Sequence, residues 1–347
     1  MKRRSFLKVV GGSAGAYAVA ARSTWAAETR RNETLLRVRE MPHRVLGRTG
    51  RSVSIVGFPG LAMIHQDQAA CNRAIRKALD AGINYFDVAP AYGNGDAETK
   101  MGIGLEGARD RVFLACKTKA RDAKGAREEL ERSLQRLKTD HFDLYQMHHV
   151  VSEGQVREAL GPGGAIETFL KAREEGKALH FGFSAHTTKA ALGLLKGFRF
   201  DTVMFPINFV EYFTRGFGKD VLELAHQQDA AVVAIKPMCR GTWKPDEQRT
   251  RQWWYRPVED PAEINLALRF TLSLQGVVTG FPPAFLDLLD RAIEVGHQYS
   301  ALSLNEMNAL VKLAWDCGSV FKREEDQVAA HLPYPDHPFD ACPMADA

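Results

Sequence analysis

Long apolar runs are missing from this 347-residue chain. No stretch approaches the roughly 18 uninterrupted apolar residues that a membrane-spanning helix needs, so none is encoded. Cysteine is scarce and scattered: the five, at positions 71, 116, 239, 317 and 342, form no C-x-x-C pair. That spacing excludes a zinc or iron–sulfur centre built from neighbouring ligands. It assigns no disulfide, and an odd count leaves at least one thiol unpaired in an exported protein. Cys116 lies in an apolar run and reads as a small core residue.

Acidic residues are absent from the first 27 positions, "MKRRSFLKVVGGSAGAYAVAARSTWAA", which hold five basic ones. A basic start, a mildly apolar Gly/Ala-rich middle and small residues toward Ala27 describe an export signal. Arg3 and Arg4 followed by "SFLK" resemble the twin-arginine type. That resemblance implies the twin-arginine export machinery as a partner and a periplasmic or otherwise exported destination. Beyond the signal, 41 basic residues face 42 acidic ones. The formal net charge of +4 therefore belongs to the signal, and nothing points to a nucleic-acid surface. At 45% hydrophobic and 25% charged, the composition is that of an ordinary packed globular protein.

After a linker over 28–42, short apolar runs alternate with helical patterns. The spacing predicts a hairpin around Thr49 and Gly50 and a first buried strand from Val53 to Phe58. Seven further strands are expected in "NYFDVAP", "RVFLACKTK", "FDLYQMHHV", "LHFGFSAH", "DTVMFPIN", "AAVVAIKPM" and "GVVTGF". Helices separate them, among them "GAREELERSLQRLKTD" with Leu130, Leu134 and Leu137 on one stripe, and "DAETKMGIGLEG" with Asp96 expected as its cap. Eight strand–helix units in about 240 residues give an α/β fold of the (β/α)8 TIM-barrel type, with an N-terminal hairpin and a C-terminal helix and tail. A doubly wound sheet would carry G-x-G-x-x-G after its first strand, and "GFPGLA" is not that. A metal-dependent barrel hydrolase would want His-x-His after strand one and clustered carboxylates; neither occurs, so no metal site is expected.

Two insertions, at 149–164 and 239–260, fall at the carboxyl ends of strands four and seven, the face where barrels place their chemistry. Both are expected to shape a pocket, although Trp253 and Trp254 read equally well as loop anchors. The Pro-rich tail over 331–347 is expected to pack over the barrel mouth or to be disordered.

Four polar residues line up at adjacent strand ends. Asp87 ends strand two, Tyr92 follows it in a Gly-rich loop, Lys117 ends strand three and His148 ends strand four. Neighbouring strands lie about 4.8 Å apart, so these groups converge. A free tyrosine, with a pKa of about 10, is a poor acid at neutral pH, and a close ammonium favours its phenolate. Asp87 would fix Lys117 and keep it charged, while His148 would orient a carbonyl. The set suits protonation of an oxyanion as hydride arrives at carbon.

These segments, "FDVAPAYGNGDAETKMGIGL", "RVFLACKTK", "LERSLQRLKTDHFDLYQMHH" and "HFGFSAH", together resemble the aldo-keto reductase family over roughly residues 43 to 295. The resemblance implies an oxidoreductase that reduces an aldehyde or ketone with NADP(H) or NAD(H). It implies Tyr92 as general acid, Lys117 and Asp87 as its tuning pair, and His148, five residues after Asp143, as the residue that orients the small-molecule carbonyl substrate. On the cofactor side it implies Ser184 for the nicotinamide carboxamide, and Lys236, Met238, Arg240 and Gly241 in "AIKPMCRG" with Gly280 in "VVTGFPP" for the rest of the dinucleotide. Here the pattern departs from the family: Ala185 stands where asparagine is common, Met204 where glutamine is common, and Ile235 where many members stack an aromatic ring. Those departures leave a second expectation open, an exported barrel that binds a ligand or protein partner and turns over little.

Overall fold

The computed structural model describes residues 36–329. The expected export signal, the start of the linker, the tail over 331–347 and Cys342 lie outside the described residues. Three short strands, β1 (Leu36–Val38), β2 (Met41–Val45) and β3 (Ser52–Ser54), form an antiparallel sheet. Eight parallel strands follow: β4 (Phe58–Pro59), β5 (Tyr85–Asp87), β6 (Phe113–Thr118), β7 (Phe142–Val150), β8 (Ala178–Ala185), β9 (Thr202–Pro206), β10 (Ala231–Ile235) and β11 (Val277–Phe281). They pair in chain order, and the ring closes where the Gly57 N–H donates to the Gly280 carbonyl at 3.1 Å and the Gly280 N–H to the Ile55 carbonyl at 2.9 Å. This is the expected TIM barrel.

Two boundaries differ from the sequence expectation. The run from Val53 to Phe58 is not one strand: Ser52–Ser54 pairs back onto β2, and only Phe58–Pro59 joins β5. Hairpin pairing takes the first half of the run, and Pro59 has no N–H to extend the second. β1 lies in the stretch read as linker; its three residues, Leu-Arg-Val, are too few for their alternation to mark a strand, and all are exposed.

The helices outside the ring are α1 (Gln68–Asp80), α2 (Asp96–Gly104), α3 (Ala123–Arg136), α4 (Glu153–Leu160), α5 (Ala165–Glu174), α6 (Thr188–Gly197), α7 (Phe209–Arg215), α8 (Lys219–Gln227), α9 (Pro261–Ser273), α10 (Leu286–His297), α11 (Leu304–Trp315) and α12 (Lys322–Ala329). Side-chain caps start many of them: Asp67 accepts from the Ala70 N–H at 2.7 Å and Asp122 from the Gly125 N–H at 2.8 Å. Asp96 is not a cap. Gly95, at φ 93°, holds the N-cap position, and Asp96 is the first helical residue, its carboxylate paired with Lys100 one turn on. The 149–164 insertion holds α4, capped by Ser152.

Strand alternation produces two apolar layers. Outward-facing residues such as Phe86, Leu114, Tyr145 and Phe183 pack under the helices. Inward-facing Tyr85, Phe113, Ala115, Leu144, Met204 and Val233 fill the ring, and Leu46 and Val53 of the hairpin join them. Burying each such large side chain contributes about 1.5–3 kcal/mol. At the carboxyl mouth, buried Glu211 accepts from the Ser319 hydroxyl at 2.7 Å and the Val320 N–H at 2.5 Å. This clamp seats Phe321, which stacks on Phe217 at 5.0 Å.

Candidate active site

Period-two alternation carries the inner layer upward into polar chemistry. Two residues above Tyr85 stands Asp87; two above Ala115 stands Lys117; two and four above Leu144 stand Gln146 and His148. Lys117 and Gln146 are register partners across β6 and β7. Tyr92 belongs to no strand. The turn after β5 holds Gly93, Asn94 and Gly95 at φ 61°, 51° and 93°, three successive left-handed residues that explain the composition of "YGNG". That turn folds the phenol back over the end of β6.

The groups meet. The Lys117 ammonium, fully buried, pairs with an Asp87 carboxylate oxygen and donates to the Tyr92 hydroxyl oxygen at 3.1 Å. It also lies 4.9 Å from the Tyr92 ring centroid. Gln146 Nε2 donates to the second Asp87 oxygen at 3.0 Å. The His148 ring stands edge-on to Tyr92 at 5.7 Å. In the Lys117 bond the phenol oxygen accepts, so the phenolic proton is not consumed by it.

Electrostatics follow from burial and neighbours. Burial works to lower the Lys117 pKa, but the Asp87 and Tyr92 oxygens outweigh it and hold the ammonium above its ordinary value, so the positive charge persists. Burial pushes Asp87 up, opposed by Lys117 and Gln146. His148 is held well below its ordinary value, first by burial and then by the Lys117 charge. Its imidazole is neutral at pH 7. Its Nδ1 is buried and has no hydrogen-bond partner among the described residues, so the tautomer with the proton on Nε2 avoids sealing in an unpaired N–H.

All four residues line one cavity of about 90 Å³ at the carboxyl mouth. Of the residues expected on the cofactor side, Ser184 and Lys236 line it too; Met238, Arg240, Gly241 and Gly280 do not. Ser184 Oγ accepts from the His149 N–H at 2.8 Å, which leaves its O–H to donate. Lys236, at φ 59°, places its ammonium over the rings of Trp254 and Phe321 at 5.3 and 5.7 Å. Arg240 instead donates to Glu263 at 2.9 Å. Met238 is core, Gly280 sits in the closing seam of the barrel, and a Cβ on Gly241 would lie 2.1 Å from the Gly318 carbonyl oxygen. Met204, Ile235 and Phe281 complete the wall on this side.

Trp253 and Trp254 are both anchors and pocket. Trp253 packs on Phe285 at 5.1 Å, and both indoles line the cavity with Tyr255. Gln146 and His186 were given no role from sequence. Gln146 could have been found as the inward residue one alternation below His148. His186 lies just beyond β8, where no periodicity marks it.

The sequence pattern of the aldo/keto reductase family matches residues 60–310, which include Asp87, Tyr92, Lys117, Gln146, His148, Ser184 and Lys236. The aldo-keto reductase YhdN of Bacillus subtilis is 32% identical over 198 residues, a match covering 53% of this chain and 57% of that protein. Among solved structures, an aldo-keto reductase of Bacillus halodurans in its holo form superposes with a TM-score of 0.66 at 23% identity, covering 82% of this chain and 99% of that one. An aldo-keto reductase of Klebsiella pneumoniae in complex with NADPH gives 0.63 at 22%, covering 80% and 96%. At those identities the two structures speak to fold.

Proposed function

This chain belongs to the aldo/keto reductase family, and from that premise we propose that it reduces an aldehyde or ketone with a nicotinamide cofactor, Tyr92 acting as general acid. The observation that carries the assignment of roles is the Lys117 ammonium held between Asp87 and the Tyr92 oxygen, 3.1 Å from the latter, in a cavity that His148 also lines.

Residues present fit the nicotinamide end of the cofactor. The Ser184 hydroxyl is free to donate and would hold the carboxamide, Ile235 and Phe281 would offer apolar walls, and Lys236 would supply positive charge for phosphate. When bound, the dinucleotide, NADP(H) or NAD(H), supplies hydride. His148 donates from Nε2 to the carbonyl oxygen and orients it. Tyr92 passes the proton of its Oη to the oxyanion as charge develops there. Lys117 stabilises the phenolate left behind, while Asp87 and Gln146 hold the ammonium in place. The surrounding aromatic side chains exclude water, which strengthens each of these interactions.

Export belongs to the same proposal, supported by Arg3, Arg4 and the acid-free first 27 residues. Replacing both arginines by lysine leaves the protein in the cytoplasm; export of the doubly substituted protein would contradict this. For the activity, purified protein is offered NADPH or NADH and a panel of aldehydes, ketones and quinones. Oxidation of one cofactor per carbonyl reduced is expected for at least one class. Failure to bind either cofactor at millimolar concentration overturns the proposal.

A further inference from the structure

Strands β7 and β8 pair Met147 with Phe183 and then Val150 with Ala185, three steps against two. The extra residue falls at His148–His149, a β-bulge beside the site. His149 takes φ 57°, a conformation a non-glycine residue keeps only when its surroundings impose it. Arg121, in the loop after β6, imposes it from one side. Its Nη2 donates to the His148 carbonyl at 2.7 Å and the His149 carbonyl at 3.2 Å, and its Nη1 to the Lys119 carbonyl at 3.0 Å. From the other side Ser184 Oγ takes the His149 N–H. Arg121 is itself fixed, since its carbonyl accepts the Ala165 N–H at 2.7 Å and it is 8% exposed.

A guanidinium buried to this degree and spent on three carbonyls is unusual. Burial lowers its pKa to about 10, against the more distant charges of Glu158 and Glu129, so it remains a cation at neutral pH. Among the described residues the His148 ring has no partner at Nδ1, so its direction comes from its main chain and from packing against Tyr92 and His149. We infer that Arg121 is a positioning residue for the carbonyl-orienting imidazole: by gripping both carbonyls of the bulge it aims His148 into the cavity. The inference rests on the proposed role of His148. A lysine would keep the charge but not the planar fork.

The test uses Arg121→Gln and Arg121→Lys, each alone and combined with His148→Gln. In the parent background Arg121→Gln should lower kcat/KM for a reactive aldehyde about 10²-fold, the cost of misplacing a reacting group by roughly an ångström. Affinity for NADPH, read by fluorescence, should stay within about twofold, and Arg121→Lys should recover part of the loss. In the His148→Gln background the same change should cost less than about twofold, because its route of action is gone. Equal losses in both backgrounds overturn the inference. A second readout needs no turnover: the His148 imidazole carbon–proton resonance, assigned with His148→Gln, should move in Arg121→Gln while those of His43 and His180 do not. An unmoved His148 resonance overturns the inference whether or not a substrate is found. A parent that reduces no carbonyl counts against the proposed reaction alone.

Discussion

The two halves of the barrel mouth are built differently. On the β5–β7 side, four charged or polar side chains meet through direct bonds: Asp87, Lys117, Tyr92 and Gln146 form one connected set, with His148 packed against the phenol. On the β8–β11 side, Ser184, His186, Lys236 and Tyr255 line the cavity among apolar and aromatic side chains, and the arginine nearby donates to Glu263. The first half is defined by residue identity at strand ends, so substitution there strikes chemistry. The second is defined by loops and main chain, so most substitutions should strike affinity or nothing.

The largest effect should come from breaking the connected half at its centre. Lys117→Met removes the charge that stabilises the Tyr92 phenolate, and turnover at neutral pH should fall toward the upper end of the roughly 10²- to 10⁴-fold range for general acid catalysis. It also strands a buried carboxylate, at about 3–5 kcal/mol in stability by chemical denaturation. Adding Asp87→Asn removes the stranded charge and should restore most of that stability without restoring turnover. A double variant that regains turnover would show that Lys117 holds the fold and does not serve Tyr92.

The second half gives a smaller contrast. Lys236→Met should raise the Kd for NADPH about tenfold, about 1.4 kcal/mol. Arg240→Met should change it less than about twofold and cost only the ~0–1 kcal/mol of a partly exposed ion pair, read as a slight fall in melting temperature. Equal effects on affinity would erase the division between residues that line the cavity and residues that do not.

The smallest effect is a pH dependence. The folded protein holds His148 below its ordinary value of 6.5, so below that pH the unfolded chain binds a proton that the folded one refuses. Stability should therefore fall with acidification by up to about 1.4 kcal/mol per pH unit. The His148→Gln variant lacks this contribution and should show a shallower slope between pH 6.5 and 5.5. Identical slopes would mean that His148 is not held neutral.

One half of the mouth is more legible in the sequence than the other, for a physical reason. Asp87, Lys117 and His148 each sit at a fixed alternation above an apolar residue, so a period-two pattern locates them, and "YGNG" announces the left-handed turn that returns Tyr92. The eight-strand count likewise follows from apolar runs. On the other side Ser184 and Lys236 line the cavity as expected, while Arg240 and Gly241, expected beside the dinucleotide, do not line it: Arg240 donates to Glu263, and Gly241 lies against Gly318, 77 positions on. Contacts of that range leave no local pattern. Phe321 over the mouth and Arg121 behind the bulge are missed for the same reason. The division of Val53 to Phe58 between hairpin and barrel was hidden because both partners want the same apolar residues.

The account stands or falls on the phenolic proton of Tyr92, and Tyr92→Phe isolates it. The ring volume is nearly unchanged and only the hydroxyl is lost. Parent and variant are titrated with NADPH by protein fluorescence, then given a reactive aldehyde while cofactor oxidation is followed. The variant should bind NADPH as the parent does and oxidise it roughly 10²- to 10⁴-fold more slowly. Oxidation within threefold of the parent rate would contradict the account.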